Sequence, residues 1–308
     1  MRVLAHVHTL NDEAVIEQVL EGLRRQTRPP DAIILVDNGS TDATLERAFP
    51  DGLTVVRNGK NLGTSGAVHI GFAYAQEHEF DWTWVFDADS VPEPQSLENL
   101  LAFFERLSPV KREQVCFLAC RLVNAEGEIR HEPMMFTESG VTRVPTEPNA
   151  TVAQCDYFIW TGSLFRMSAV AQIGLPSADY VLDMGEIEYG YRARQLGLTG
   201  YVVQNGVTHQ DVGRGPGVTV SRVWNIGRWE FTFCEVSPIR AYYASRNLLY
   251  FWLHQFRPLR ARRFIRTMAH VLAIPTSFAL RPVSHRRQLL ASLRGVWDGL
   301  TAHMERRY

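Results

Sequence analysis

Two aspartates carry the most chemical promise in this chain, Asp87 and Asp89 in the run Phe86-Asp87-Ala88-Asp89-Ser90 that closes an apolar stretch. In extended chain, side chains two residues apart point the same way, so both carboxylates can face one cation. Hard divalent ions such as Mg2+ and Mn2+ take carboxylate oxygens together with substrate phosphates. A cation held there would bridge a diphosphate and stabilise it as a leaving group. The competing reading is a turn, for which Asp-Ala-Asp-Ser-Val-Pro is also suited. The position at a strand end favours the metal.

Three further constellations add to this pair. In Val36-Asp37-Asn38-Gly39-Ser40-Thr41-Asp42, Asp37 ends an apolar run and can accept hydrogen bonds from a base or a ribose. Ser40 and Asp42 read as caps of the next helix. In Asn61-Leu62-Gly63-Thr64-Ser65-Gly66, the glycines allow close backbone approach to a phosphate at a helix amino end, and an ordinary loop-to-helix junction fits equally well. Neither a P-loop nor a dinucleotide GxGxxG is present there.

The last block runs from Asp183 to Arg192. Read as a helix, it puts Asp183 and Glu186 on one face and lets Glu188 pair with Arg192 four residues on. A carboxylate at a helix start can act as general base, or simply complement the helix dipole; spacing leaves both readings open. His209, after Val207-Thr208, is by itself a structural residue and joins the chemistry only if the fold brings it near Asp89.

The elements that must position these residues alternate in the first third. Val3 to Thr9 reads as a strand, and Asn11 as the cap of a helix carrying Ile16, Val19, Leu20 and Leu23 at helical spacing. Thr27-Arg28-Pro29-Pro30 stops it, since proline cannot continue a helix. Ala32 to Val36 is a strand buried on both faces, Leu53 to Val56 a third strand, Gly63 to Glu77 a helix, and Trp82 to Phe86 a fourth strand ending at Asp87. Such alternation predicts an α/β fold with a doubly wound, mostly parallel sheet, whose ligands bind beyond the carboxyl ends of the strands.

The middle is less regular. Phe117 to Val123 and Val207 to His209 read as strands, Tyr157 to Trp160 as another apolar run, Glu138 to Ala150 as a loop, and Asp183 to Leu196 as a helix. From about Pro238 the texture turns helical, aromatic and basic, with Arg257, Arg260, Arg262, Arg263 and Arg266 close together. The expected organisation is therefore a domain over 1–237 and a helical C-terminal extension over 238–308.

Composition sets the outer limits. The chain has 308 residues, 45% hydrophobic and 21% charged, with a formal net charge of -1, which gives no electrostatic footprint for nucleic acid. Cys116, Cys120, Cys155 and Cys234 lack paired CxxC spacing, so a zinc site is not expected. The opening Met1 to Val7 lacks a long apolar stretch, and reduced thiols in the cytoplasm are the expectation. Phe264 to Leu280 is the nearest approach to a membrane span, but it carries Arg266, His270 and Pro275.

Taken in order, His8-Thr9-Leu10-Asn11, Val36 to Asp42, Asn61-Leu62-Gly63 with Gly66, Phe86 to Ser90, Trp160-Thr161-Gly162-Ser163 and Gly185-Glu186-Ile187-Glu188 resemble the family-2 glycosyltransferases of the GT-A fold. The feel is of the rhamnosyl- and galactofuranosyl-transferase-like members. The likeness covers roughly residues 2 to 215 and is specific as a set, with Tyr242 to Asn247 similar to a segment that follows the family's catalytic domain.

The resemblance implies an inverting, metal-dependent transfer from a UDP- or dTDP-sugar to an acceptor hydroxyl, in cell-surface glycan synthesis. It implies nucleotide contacts from Thr9, Asn11, Asp37, Asn61, Gly66 and Asp87. It also implies Mn2+ or Mg2+ on Asp89 and His209, and acceptor or sugar contacts from Trp160, Gly162 and Glu188. Glu186 stands where the family usually has an aspartate acting as base, and Asp183 could share that role. The acceptor would be a glycan or a lipid-linked molecule. The basic aromatic helices after Pro238 could rest peripherally on the anionic inner face of a membrane, and the competing reading, favoured by the near-zero net charge, is a helical cap packed on the domain with a solvated arginine face.

Two rivals stand beside this reading. A nucleotidyltransferase would need a basic glycine-rich loop near the first strand, where this chain has Leu10-Asn11-Asp12-Glu13. A non-catalytic nucleotide-binding scaffold on the same fold is the other, since fold does not fix function. The carboxylates at Asp89 and Glu186 count against it.

Overall fold

β1 (Val3–Thr9) is buried along its whole length, as its unbroken apolar pattern with two histidines requires of a central strand. In the computed structural model it lies between β2 (Ala32–Asp37) and β4 (Trp82–Asp87), parallel to both, and β3 (Thr54–Arg57) adds in parallel beyond β2. The helices between them are α1 (Ile16–Arg24), the short α2 (Thr44–Arg47) and α3 (Gly63–Glu77). Described are residues 1–48, 53–138, 140–145, 150–210, 220–226, 229–234, 236–256, 268–269, 275 and 285–305. The arginines at 257–266 and the glycine-rich stretch at 213–217 lie outside them.

The chain continues through β5 (Val91–Pro92), α4 (Ser96–Arg106), α5 (Pro109–Gln114), β6 (Val115–Val123), β7 (Met134–Thr137), β8 (Gly140–Arg143), β9 (Val152–Cys155), β10 (Ser163–Arg166), α6 (Met167–Ile173), α7 (Gly185–Gln195) and β11 (Thr199–His209). The main sheet has nine strands in the order β3-β2-β1-β4-β10-β6-β11-β5, with β9 also on β11. β10 runs antiparallel to β4 and β6, while β11 runs parallel to β6. This is a mixed α/β sheet whose first four strands are parallel.

The sheet is covered on both faces because its strands alternate. Val3, Ala5, Val7 and Leu35 pack with Ile16, Val19, Leu20 and Leu23 of α1. Leu4, Ile34, Val36 and Val85 pack with Ala67, Val68, Phe72 and Ala75 of α3. The repeat of two along β1 puts His6 and His8 on the α3 face with Leu4. Gly71 of α3 makes room for His6, since a Cβ there would stand 2.6 Å from the imidazole.

Several expected elements differ. Asn11 does not cap α1; it sits in the left-handed region (φ 58) ahead of a turn, and the helix begins at Ile16. Tyr157 to Trp160 is buried but makes only an isolated bridge at Tyr157, the strand on either side being β9 and β10. β7 and β8 pair antiparallel, which places a strand at Gly140–Arg143 inside the stretch from Glu138 expected to be a loop. α7 begins at Gly185 because Asp183 (φ 58) and Met184 (φ 68) are left-handed, so Asp183 and Glu186 share no helix face.

By contacts the chain divides into two compact units, Met1–Ala178 with Gly185–Arg214, and Asp179–Met184 with Gly215–Tyr308. The second contains the antiparallel pair β12 (Val220–Ile226) and β13 (Trp229–Cys234), α8 (Pro238–Tyr250) continued by a π-helical turn at Phe251–Gln255, and α9 (Arg286–Leu300). Ser237 caps α8, its hydroxyl accepting from the Arg240 amide at 3.2 Å, with Pro238 in the first turn. Arg246 of α8 is fully buried. It lies over the rings of Tyr242 and Tyr243 and donates to the carbonyls of Met304, Glu305 and Asp179. With Asn247, which donates to Leu182 O at 2.6 Å, it ties residues 179–184 into this unit.

Candidate active site

The registers bring three of the expected nucleotide residues together. Thr9 is the partner of Asp37 across β1–β2, and His8 the partner of Asp87 across β1–β4, so Thr9, Asp37 and Asp87 line adjacent carboxyl ends of parallel strands. Neighbouring strands stand about 4.8 Å apart, which sets the pitch of that row.

Local hydrogen bonds fix each side chain. Asp37 is 3% exposed, and its Oδ1 accepts from the Ser40 amide at 3.0 Å. Thr9 donates to Asp12 Oδ2 at 2.8 Å, and the same oxygen accepts from the Leu10 amide. Asn11 Oδ1 accepts from the Thr41 amide at 2.8 Å, while Ser40 Oγ accepts from the Asn11 amide. Ser40 therefore links two loops and caps no helix. Asp42 accepts from the Thr44 amide at 3.0 Å, just ahead of α2. Slight burial acts to raise its carboxyl, and the hydrogen bonds it accepts outweigh that and leave it below the ordinary range.

Asn38, which the sequence reading did not single out, is 4% exposed and fastens the post-β2 loop to α3. Its Nδ2 donates to Gly63 O at 3.3 Å, and its Oδ1 accepts from Asn58 Nδ2 at 2.9 Å. Asn61 is exposed, and its Oδ1 accepts from the Gly63 amide at 2.7 Å. Gly66 is buried, and a Cβ there would fall 2.7 Å from that of Leu62, so packing accounts for the glycine.

Asp87 is held from two sides. His8 Nε2 stands 2.7 Å from its Oδ1, and its amide donates to Thr161 Oγ1 at 3.1 Å. His8 is 8% exposed and the Asp87 carboxylate 35%, so a buried imidazole steadies a half-open carboxylate. Beneath them burial, with a contribution from His8, holds His6 well below its ordinary pKa, and it is neutral near pH 7. His8 stands in the block His8-Thr9-Leu10-Asn11, but only a buried strand carrying two histidines on one face signals a role for His6 and His8 themselves.

Asp89 is 8% exposed and sits within a turn closed by the Ser90 amide donating to Asp87 O at 3.2 Å. β5 pairs antiparallel with β11, His209 opposite Val91, so His209 enters two residues from Asp89 in register. His209 Nε2 lies 3.0 Å from Glu93 Oε1, a carboxylate the sequence reading had not assigned. Among the described residues no three His, Cys, Asp or Glu side chains form a ready metal cluster. What the donor set does fit is a cation shared with substrate phosphates, one carboxylate and one imidazole being supplied by the chain.

Glu186 lies in the first turn of α7, where the helix dipole favours a carboxylate. It lines a recess with Tyr157, Trp160 and Tyr189. Burial, and then the charge of Glu186, push the Tyr157 hydroxyl well above its ordinary value.

The residues expected at the acceptor or sugar are all largely buried. Trp160 is 4% exposed, packed among Phe72, Phe165 and Tyr189. Gly162 (φ 73) makes the corner into β10, its carbonyl accepting from the Cys120 amide and Trp84 Nε1. A Cβ at Gly162 would stand 3.1 Å from Leu122 and 3.3 Å from Thr208 Oγ1. Glu188 is 5% exposed with both oxygens on Arg192, at 2.8 and 3.1 Å. Burial raises its pKa, with the Arg192 charge opposing. Gly162 and Glu188 have clear structural duties here, while Trp160 also lines the recess beside Glu186. Asp183 pairs with Arg240 at 2.9 Å in the second unit.

Comparison with known proteins follows this geometry. The model of "Glycosyl transferase family 2" matches residues 5–173. Galactofuranosyltransferase GlfT1 of Mycobacterium tuberculosis is 29% identical over 203 residues, 62% of this chain; the match spans 63% of that relative's length. Among solved structures, S. aureus TarS 1-349 in complex with UDP-GlcNAc superposes with a TM-score of 0.58 at 17% identity, covering 99% of this chain and 83% of that one. Mannosyltransferase PcManGT from Pyrobaculum calidifontis, in complex with GDP-Man and Mn2+, gives 0.54 at 17% identity, covering 98% and 75%. These two likenesses speak to the fold.

Proposed function

The chain belongs to glycosyl transferase family 2, and on that premise we propose that it moves a sugar from a UDP- or dTDP-sugar to an acceptor hydroxyl, with inversion and with a divalent cation. The observation that carries this reading is the row of Thr9, Asp37 and Asp87 along adjacent strand ends, with Asp89 two residues ahead of Val91, the register partner of His209. The chemistry is assigned to the unit of Met1–Ala178 and Gly185–Arg214. The helical segment from Pro238 is its extension.

Each residue has a task that its setting favours. Asp37, locked through Oδ1 by the Ser40 amide, offers Oδ2 to the imide N–H of a pyrimidine. Uracil and thymine share that imide, which is why UDP and dTDP both fit. Thr9 and Asn11 border the same pocket, and Asp87, steadied by His8, serves the ribose. Asp89 and His209 hold the cation, with Glu93 orienting the imidazole through Nε2 and leaving Nδ1 for the metal. When bound, the divalent ion neutralises charge on the departing diphosphate.

Glu186 takes the proton from the acceptor hydroxyl as its oxygen forms a bond to the anomeric carbon. The bond from that carbon to the phosphate oxygen breaks, and the nucleoside diphosphate leaves with the electron pair. Back-side attack inverts the anomeric centre. The acceptor in this reading is a glycan or a lipid-linked molecule.

The test is calorimetric titration of the folded protein with UDP and dTDP, with and without Mn2+. Metal-dependent binding of one nucleotide identifies the donor class. Binding of neither overturns the reading, and binding without transfer to any acceptor returns the scaffold alternative. Release of pyrophosphate from a nucleoside triphosphate would instead make the chain a nucleotidyltransferase.

His8 is a positioning residue in this scheme, because it touches Asp87 and not the substrate. His8→Ala is expected to raise the donor KM about tenfold, the scale of one hydrogen bond to a charged group, with kcat little changed. His8→Gln, which keeps a donor, restores most of it. Equal losses in both variants, or a fall in kcat alone, would show that His8 acts through stability or in some other step.

A further inference from the structure

α9 (Arg286–Leu300) carries its large apolar side chains on the outside. Leu290 is 67% exposed, Leu293 47%, Trp297 67% and Leu300 42%. Their spacing of three, four and three residues makes one stripe along the helix. The side packed on α8 is small or polar instead: Ala291, Ser292, Gly295, Asp298 and Gly299.

This orientation is fixed. A Cβ at Gly295 would stand 2.3 Å from Tyr242 O, and one at Gly299 2.7 Å from Arg246 O, so no large residue can turn inward. Tyr242 donates to Asp298 Oδ2 at 2.6 Å, and the Ser245 and Ser292 hydroxyls meet at 2.8 Å, which sets the rotation of α9.

Charge accompanies the stripe. Arg286, Arg287 and Arg294 are exposed beside it, and the helix's one acidic residue, Asp298, is buried. A helix face that joins leucine and tryptophan to arginine matches the boundary between acyl chains and anionic headgroups. It matches a second copy of the chain less well. One face of a fifteen-residue helix offers a few hundred Å2, short of the roughly 800 Å2 per partner of a stable interface. Self-pairing would also gather the arginines.

We propose that the outward face of α9 docks the protein on an anionic lipid surface. This does not depend on the catalytic assignment and rests on residues outside it.

The experiment is co-sedimentation of the full chain with phosphatidylcholine vesicles, with and without phosphatidylglycerol. Partition to the anionic vesicles is expected to be about a hundredfold stronger at low salt, and to fall as salt is raised. Trp297→Ser should weaken it about tenfold through lost apolar burial, and Arg287→Glu with Arg294→Glu should abolish the preference for anionic lipid. Thermal melting confirms that each variant is folded. Failure of the folded wild type to sediment with anionic vesicles overturns the proposal, as does wild-type partition in both variants. A concentration-dependent dimer that Trp297→Ser dissolves also overturns it, assigning the face to a second copy.

Discussion

Asp89→Ala is expected to lower kcat/KM for transfer about a thousandfold and to remove the Mn2+-dependent part of nucleotide binding. The size follows from the several kcal/mol a metal ion contributes to a departing charged group, each 1.4 kcal/mol being about tenfold. The position supports a specific role, since the carboxylate is only 8% exposed, in the turn between β4 and β5. Steady-state kinetics and calorimetry with and without Mn2+ separate two effects. Loss of the metal response with nucleotide affinity kept at its metal-free level identifies Asp89 as the ligand. Asp89→Asn keeps the shape of the turn and guards against reading a folding defect as a catalytic one. If the alanine variant transfers sugar within a few-fold of the wild type while folded, the metal assignment fails.

Glu186→Gln is the second large expected effect. Removing a general base costs about 10²- to 10⁴-fold, and here the loss should fall on kcat with the donor KM and nucleotide binding unchanged. The separation is expected because Glu186, on the first turn of α7, is assigned to the acceptor hydroxyl, whereas Thr9, Asp37 and Asp87 are assigned to the nucleotide. Glu186→Asp, a methylene shorter, should keep more activity than the glutamine variant, since the carboxylate survives. The helix amino end favours the charged form in both acids. Near-normal kcat in Glu186→Gln would move the base elsewhere. Asp183 is a weak successor because its carboxylate is paired with Arg240.

Much of the first half was legible because its signals are local. The apolar runs Val3–Thr9 and Trp82–Asp87 and the glycine-led helix Gly63–Glu77 have the boundaries that pattern alone suggests. Parallel strands buried on both faces announce themselves by unbroken apolar sequence. Asp37 and Asp87 break that rule at a strand end. The carboxyl ends of such strands are where ligands bind.

The misreadings have physical causes as well. Tyr157 to Trp160 is an apolar run that belongs to no strand, with Trp160 packed against Phe72, Phe165 and Tyr189. Two left-handed residues, Asp183 and Met184, delay α7, and no helical period reveals a backbone torsion. Glu188 and Arg192, four apart, did foretell their ion pair.

The sequence by itself determined the parallel strands, their order of appearance and the carboxylates at their ends, since a period of two or of 3.6 and an apolar run are properties of neighbouring residues. Tertiary structure alone decided what those residues meet. It inserted β10 between β4 and β6, brought His209 opposite Val91, placed His8 on Asp87 and turned the leucines and Trp297 of α9 outward. Each of these pairings joins residues far apart along the chain. Packing of the whole selects them, and no local pattern encodes them.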